Sequence, residues 1–71
     1  MSKADALILI SRITKKPLDS LNLESSLEAV GWDSLCSMEL VALADDLEGL
    51  DLDLDLVYSA KTVADLVDAL I

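Results

Sequence analysis

The sequence predicts an all-α chain of four helices, with a long connection after the first helix and a short third one. Three observations carry this reading. Apolar residues recur at helical spacing in three separate stretches, around Ala6–Ile13, Leu40–Leu47 and Val63–Leu70. The single stretch with strand periodicity, Leu50–Leu56, has no second strand to pair with. Pro17, Gly49 and Thr62 stand where helices stop or start. A chain of 71 residues is expected to form one domain. At that size it buries only about 60% of its unfolded surface. Hydrophobic residues make up 54% of the chain, but aromatics only 3% and phenylalanine is absent. The core must therefore be built from Leu, Ile, Val and Ala.

The first helix is expected at about 3–15. Ser2 and Asp5 have the spacing of a capping box, although Asp is shorter than the usual Glu. Ala6, Leu9, Ile10 and Ile13 form its apolar stripe, broadened by Leu7 and Ile8. Lys15 and Lys16 suit the negative end of the helix dipole, and Pro17 ends the helix. Residues 17–33 are then a long connection. Structureless loops of this length are uncommon in compact domains, so leucines 18, 21, 23 and 27 are expected to pin it to the core. Ser25 or Ser26 can cap a short helical turn through Ala29. Gly31 can take a positive φ and turn the chain toward the next helix.

That second helix is expected over Ser34–Glu48, capped by Asp33 and stopped by Gly49. At about 100° per residue, Cys36, Leu40, Leu43, Ala44 and Leu47 share a core face with Val41 at its edge. Leu35, Met38, Glu39, Ala42, Asp45 and Asp46 share the opposite face, which mixes apolar residues with acids and has no base. From Leu50 to Leu56 we expect an extended loop, leucines inward and aspartates outward, leading to a short helix near Leu56–Ala60. Thr62 then caps the last helix, with Asp65 as the partner of a capping box and Val63, Leu66, Val67 and Leu70 as its stripe.

Composition excludes several function classes. Five basic and fourteen acidic residues give a net charge of −9. That argues against nucleic acid and anionic membrane surfaces as partners and favours basic proteins. Histidine is absent, which removes His-based acid–base chemistry and His metal ligation. Asp51, Asp53 and Asp55 do not make a calcium loop. An EF-hand starting at Asp51 needs Gly at its sixth position and Glu at its twelfth, where Leu56 and Thr62 stand. The single cysteine, Cys36, suits a reducing, cytoplasmic setting. The start of the chain does not read as a signal peptide, and no apolar run approaches the ~20 residues of a membrane span.

The chain is organised around Gly31-Trp32-Asp33-Ser34-Leu35. Ser34 falls at the first helical position with its hydroxyl toward solvent. A phosphate ester there would lie at the positive helix end, favoured by roughly 0.3–1 kcal/mol. Asp33-Ser34-Leu35, followed by Ser37-Met38-Glu39-Leu40-Val41, resembles the core motif of the acyl carrier protein family, and Thr62-Val63-Ala64-Asp65-Leu66 resembles the start of the final helix in such carriers.

The resemblance spans essentially the whole chain and implies an acyl-carrier-like four-helix bundle. It implies 4′-phosphopantetheine, taken from coenzyme A, on Ser34, its thiol holding an acyl or aminoacyl group as a thioester. It implies a partner face of Asp33, Leu35, Met38, Glu39, Ala42, Asp45 and Asp46. The implied partners are a phosphopantetheinyl transferase, an acyl- or aminoacyl-activating enzyme, and synthase or transferase enzymes. The chain itself would be a free-standing, monomeric carrier and not an enzyme, since Ser34 has no neighbouring base to activate it.

Two positions depart from the family pattern. Trp32 stands where carriers more often have a smaller or aliphatic residue, and reads equally as a partner or cargo contact or as a loop residue lying on the core. Cys36 stands where fatty-acid carriers often have an acid, and reads as a packed thiol. The motif form and acidity favour an acyl carrier of fatty-acid-like or polyketide synthesis. An aminoacyl or peptidyl carrier of a nonribosomal peptide or D-alanyl pathway is the alternative, and an acidic helical interaction module without the arm is a third reading.

Overall fold

The computed structural model describes all residues, Met1–Ile71. Four helices follow one another: α1 (Lys3–Thr14), α2 (Ser34–Glu48), α3 (Leu54–Ser59) and α4 (Val63–Leu70). Helix α1 packs on α2 and α4, and α3 bridges α2 and α4, so the four close around one core. That core holds fourteen buried residues, all Ala, Leu, Ile or Val, as the lack of phenylalanine requires.

The α1 stripe of Ala6, Leu9, Ile10 and Ile13 is buried, and so is the α4 stripe of Val63, Leu66, Val67 and Leu70. Helix α4 begins with a complete capping box. The Thr62 hydroxyl accepts from the Asp65 N–H at 3.2 Å, and the Asp65 carboxylate accepts from the Thr62 N–H at 3.1 Å. A cap of this kind is worth about 1 kcal/mol. At α1 only half of the expected box forms, with the Asp5 N–H donating to the Ser2 hydroxyl at 3.1 Å; the aspartate is one methylene shorter than the Glu the motif prefers. Helix α1 also stops earlier than Pro17 would require. Lys15 already takes a left-handed φ of 60°, and Thr14 turns its hydroxyl back onto the Ile10 carbonyl at 2.9 Å.

The connection from α1 to α2 is pinned at one side only. Leu27 is buried and Leu21 and Leu23 pack against the core, but Leu18 is 45% exposed on a 3₁₀ turn at Leu18–Ser20. Ser26 caps a turn by accepting from the Ala29 N–H at 3.1 Å, and no helix follows. What holds the loop is backbone pairing with the start of α4. The Leu27 N–H donates to the Lys61 carbonyl at 2.9 Å, Val63 to Ser25 at 3.0 Å, and Ala64 to Leu23 at 2.9 Å.

Two expectations about apolar faces are corrected. The first concerns Leu50–Leu56. Leu52 is buried and Leu50 half-buried, but α3 begins at Leu54, two residues before the expected Leu56, because the Asp53 carboxylate caps it by accepting from the Asp55 N–H at 2.9 Å. Once the backbone is helical, alternation no longer separates inside from outside. Leu54 and Leu56 then face solvent at 39% and 58%, while Val57 is buried. The second concerns α2. Leu47 is 61% exposed in its last turn, beyond the reach of the core, and Ser37 takes a buried place in the stripe with Leu40 and Ala44.

Candidate functional site

Gly31 reverses the chain with φ 77°, the left-handed conformation that favours glycine. The next residue is held at once, because the Trp32 N–H donates to the Leu27 carbonyl at 2.9 Å. Asp33 follows in an extended conformation, and its carboxylate accepts from the Cys36 N–H at 2.9 Å, capping α2. The Ser37 N–H donates to the Asp33 carbonyl at 3.1 Å and starts the helical ladder. Between these fixed points stands Ser34, the first residue of α2. It is exposed, and its hydroxyl makes no hydrogen bond within the chain.

The cap sets the local electrostatics. The hydrogen bond from the Cys36 N–H holds the Asp33 carboxyl below its ordinary value of 3.8. Bonds from the Lys61 and Thr62 N–H groups do the same for Asp65 at the start of α4. Burial pushes the Cys36 thiol up, and the nearby carboxylates of Asp33 and Glu39 push it the same way, so it is a poor nucleophile. A depressed folded pKa means that the two carboxylates contribute their full stability above pH 3.8. They lose it as the pH falls through the depressed folded values. The double variant Asp33→Asn/Asp65→Asn should therefore show a flatter dependence of Tm on pH below 4 than the parent chain. Superimposable acid titrations would show that neither cap carries charge-dependent stability.

The solvent side of α2 runs away from this point. Leu35 is 73% and Met38 58% exposed, and Glu39, Ala42, Asp45 and Asp46 are exposed with them. The structure thus brings the expected face residues together on one helix beginning at Ser34. Trp32 lies apart from them. Its ring packs against the aliphatic core, and its Nε1–H donates to the Ser37 hydroxyl at 2.9 Å. Ser37 is the one buried polar residue of the chain. Sequence reading gave it no role, although the signal was present. Positions 37, 40, 41 and 44 follow one helical stripe, so a hydroxyl there must enter the core with a partner.

Two surface grooves are present. One, of about 370 Å³, is lined by Leu56, Ser59, Ala60, Asp65, Asp68 and Ala69. The other, of about 230 Å³, lies between α1 and the end of α2 and includes Ile8, Arg12 and Leu47. Neither is lined by any residue from Gly31 to Cys36. Ser34 stands on the exposed start of α2, outside both grooves. No helix is long and apolar enough to cross a membrane.

A serine hydroxyl that is exposed, unbonded and at the positive end of a 15-residue helix fits a phosphodiester. None of the curated proteins matches this chain. A family model described as the phosphopantetheine attachment site matches residues 7–70, nearly the whole of α1 to α4. The chain therefore belongs to the phosphopantetheine attachment family, whose members carry covalently bound 4′-phosphopantetheine, and it is a carrier protein of that kind.

Proposed function

We propose that residues 1–71 act as one acyl carrier unit, with the arm on Ser34, serving partner enzymes of fatty-acid-like or polyketide synthesis. The observation that supports this best is the free, exposed hydroxyl of Ser34 at the start of α2, inside the matched region. In the transfer, the Ser34 oxygen forms a bond to the phosphorus that bears the pantetheine chain of coenzyme A. The anhydride bond breaks, adenosine 3′,5′-bisphosphate leaves with the electron pair, and the hydroxyl proton passes to a base on the transferase. The neighbouring Asp33 carboxylate is taken up by the cap of α2, and its lowered pKa makes it a weak base. The chain's part is to present the hydroxyl on a fixed helix start and to offer the α2 face for docking. Once attached, the arm supplies a thiol that holds cargo as a thioester.

Intact mass after incubation with coenzyme A, magnesium and a broad-specificity phosphopantetheinyl transferase tests the attachment. A gain of one phosphopantetheine group is expected. No gain with several transferases would leave an acidic helical module. Loading the holo form with acyl donors, against amino acids plus ATP, then separates acyl from aminoacyl carriage. Loading by the acyl donors alone is the expected result.

The docking part has its own test. Glu39→Lys and Asp46→Lys should each lower kcat/KM for arm transfer at low salt by roughly tenfold, without unfolding the chain. The deficit should shrink as salt screens the surface charges. Unchanged rates at low salt would remove these acids from the partner face.

A further inference from the structure

We propose that Trp32 and Ser37 are a pair of positioning residues that hold Ser34 in register for arm transfer. This rests on Ser34 being the attachment residue. The pair brackets it: Trp32 lies two positions before and Ser37 three after, and the bond from Nε1–H to Oγ, at 2.9 Å, closes across the first turn of α2.

Each end of the bracket is itself anchored. Trp32 is tied through its backbone N–H to the Leu27 carbonyl, and its ring rests on the core. Ser37 is 2% exposed, and its hydroxyl turns toward the Asp33 carbonyl at 3.4 Å. Removing the indole would leave the long contact to the Asp33 carbonyl as the only hydrogen bond of this buried hydroxyl within the chain. With the indole in place, no buried side-chain polar atom of the chain lacks a partner.

The geometry has a functional meaning because Ser34 has no bond of its own. Its hydroxyl can be placed only by its backbone. Asp33 fixes that backbone from the carboxylate side, through Cys36. The indole fixes it from the opposite side, by joining the residue before the cap to the buried stripe of α2. Docking through the α2 face and reaction at Ser34 are then set in one rigid register. Group transfer is sensitive to such register: a displacement of about 1 Å can lower a rate by roughly a hundredfold.

The test uses Trp32→Phe, which keeps a packed ring but deletes the N–H, and Ser37→Ala, which deletes the acceptor. Arm transfer is followed by intact mass with each chain as the varied substrate, at a temperature well below its Tm. The expected result is a kcat lowered by roughly tenfold in either variant, with KM unchanged because the docking residues are intact. The double variant should be no worse than either single, since both remove the same bond.

The sole indole N–H provides a readout independent of transfer. Its single NMR signal should exchange slowly in the parent chain and fast in Ser37→Ala. Parent-like kcat in both folded variants would overturn the proposal, as would an unprotected indole N–H in the parent chain. Equal loss of kcat and rise of KM would also overturn it, by assigning Trp32 to docking. Failure of the parent chain itself to gain the arm would instead overturn the attachment reading, and the positioning role with it.

Discussion

Ser34→Ala should show no mass gain under conditions that convert the parent chain fully, and should keep its helical circular dichroism. Loss of the hydroxyl removes the only atom that could form the phosphodiester at this position. The fold should not notice, because that hydroxyl is exposed and bonds to nothing in the chain. The α2 cap belongs to Asp33, whose carboxylate still meets the Cys36 N–H, and alanine is the best helix former at the vacated position. Ser37 cannot substitute as an acceptor of the arm, being 2% exposed and already bonded to Trp32. A residual gain of one arm would move the attachment to another serine. A large loss of ellipticity would mean that Ser34 is structural.

Leu40→Ala should have the largest effect on stability. Leu40 is fully buried on α2, in the stripe with Ser37 and Ala44. Truncating such a leucine costs about 2–5 kcal/mol through lost transfer energy and the cavity left behind. A chain of this length has roughly 4–11 kcal/mol of total stability, so the variant should be close to unfolding at ambient temperature. Leu35→Ala removes the same atoms five residues earlier, but from a side chain 73% exposed. It should stay within about 0.5 kcal/mol of the parent chain. Urea unfolding followed by circular dichroism checks both. Similar midpoints for the two variants would contradict the division of α2 into a core stripe and an outer face.

That division was mostly legible in the sequence. The span of α2, its Asp33 cap and its Gly49 stop were all readable, because each rests on local chemistry: a carboxylate meeting free N–H groups, and a glycine taking φ 60°. The α4 box was readable for the same reason. Errors came where tertiary context decides. Leu47 sits at helical spacing from Leu40 and Leu43, yet α2 outruns the core at that point. The alternation of Leu50–Leu56 hid the start of α3, since Asp53 could be read either as a loop residue or as a cap. Leu18 carries the same side chain as Leu27, and only the path of the loop separates them. The exposure of Ser34 and of the outer face of α2 followed from helical position. The partnership of Trp32 with Ser37 needed the loop and the helix in one frame, because side-chain direction in a loop is not periodic.

The pairing of residues 23–27 with residues 61–64 bears on how the chain finds its fold. Small helical proteins fold fast when most of their contacts are local. Here the backbone bonds that fasten the first loop join residues 34 to 41 positions apart. Their closure entropy must be overcome before those bonds repay it. Helices α1 and α2 carry their own caps and stripes, whereas residues 23–27 of the loop between them find their backbone partners only in residues 61–64. Trp32, bonded through its N–H to the Leu27 carbonyl, is thereby tied to a loop whose own fastening depends on the start of α4, so loosening that pairing should slow folding more than it disturbs the locally capped start of α2.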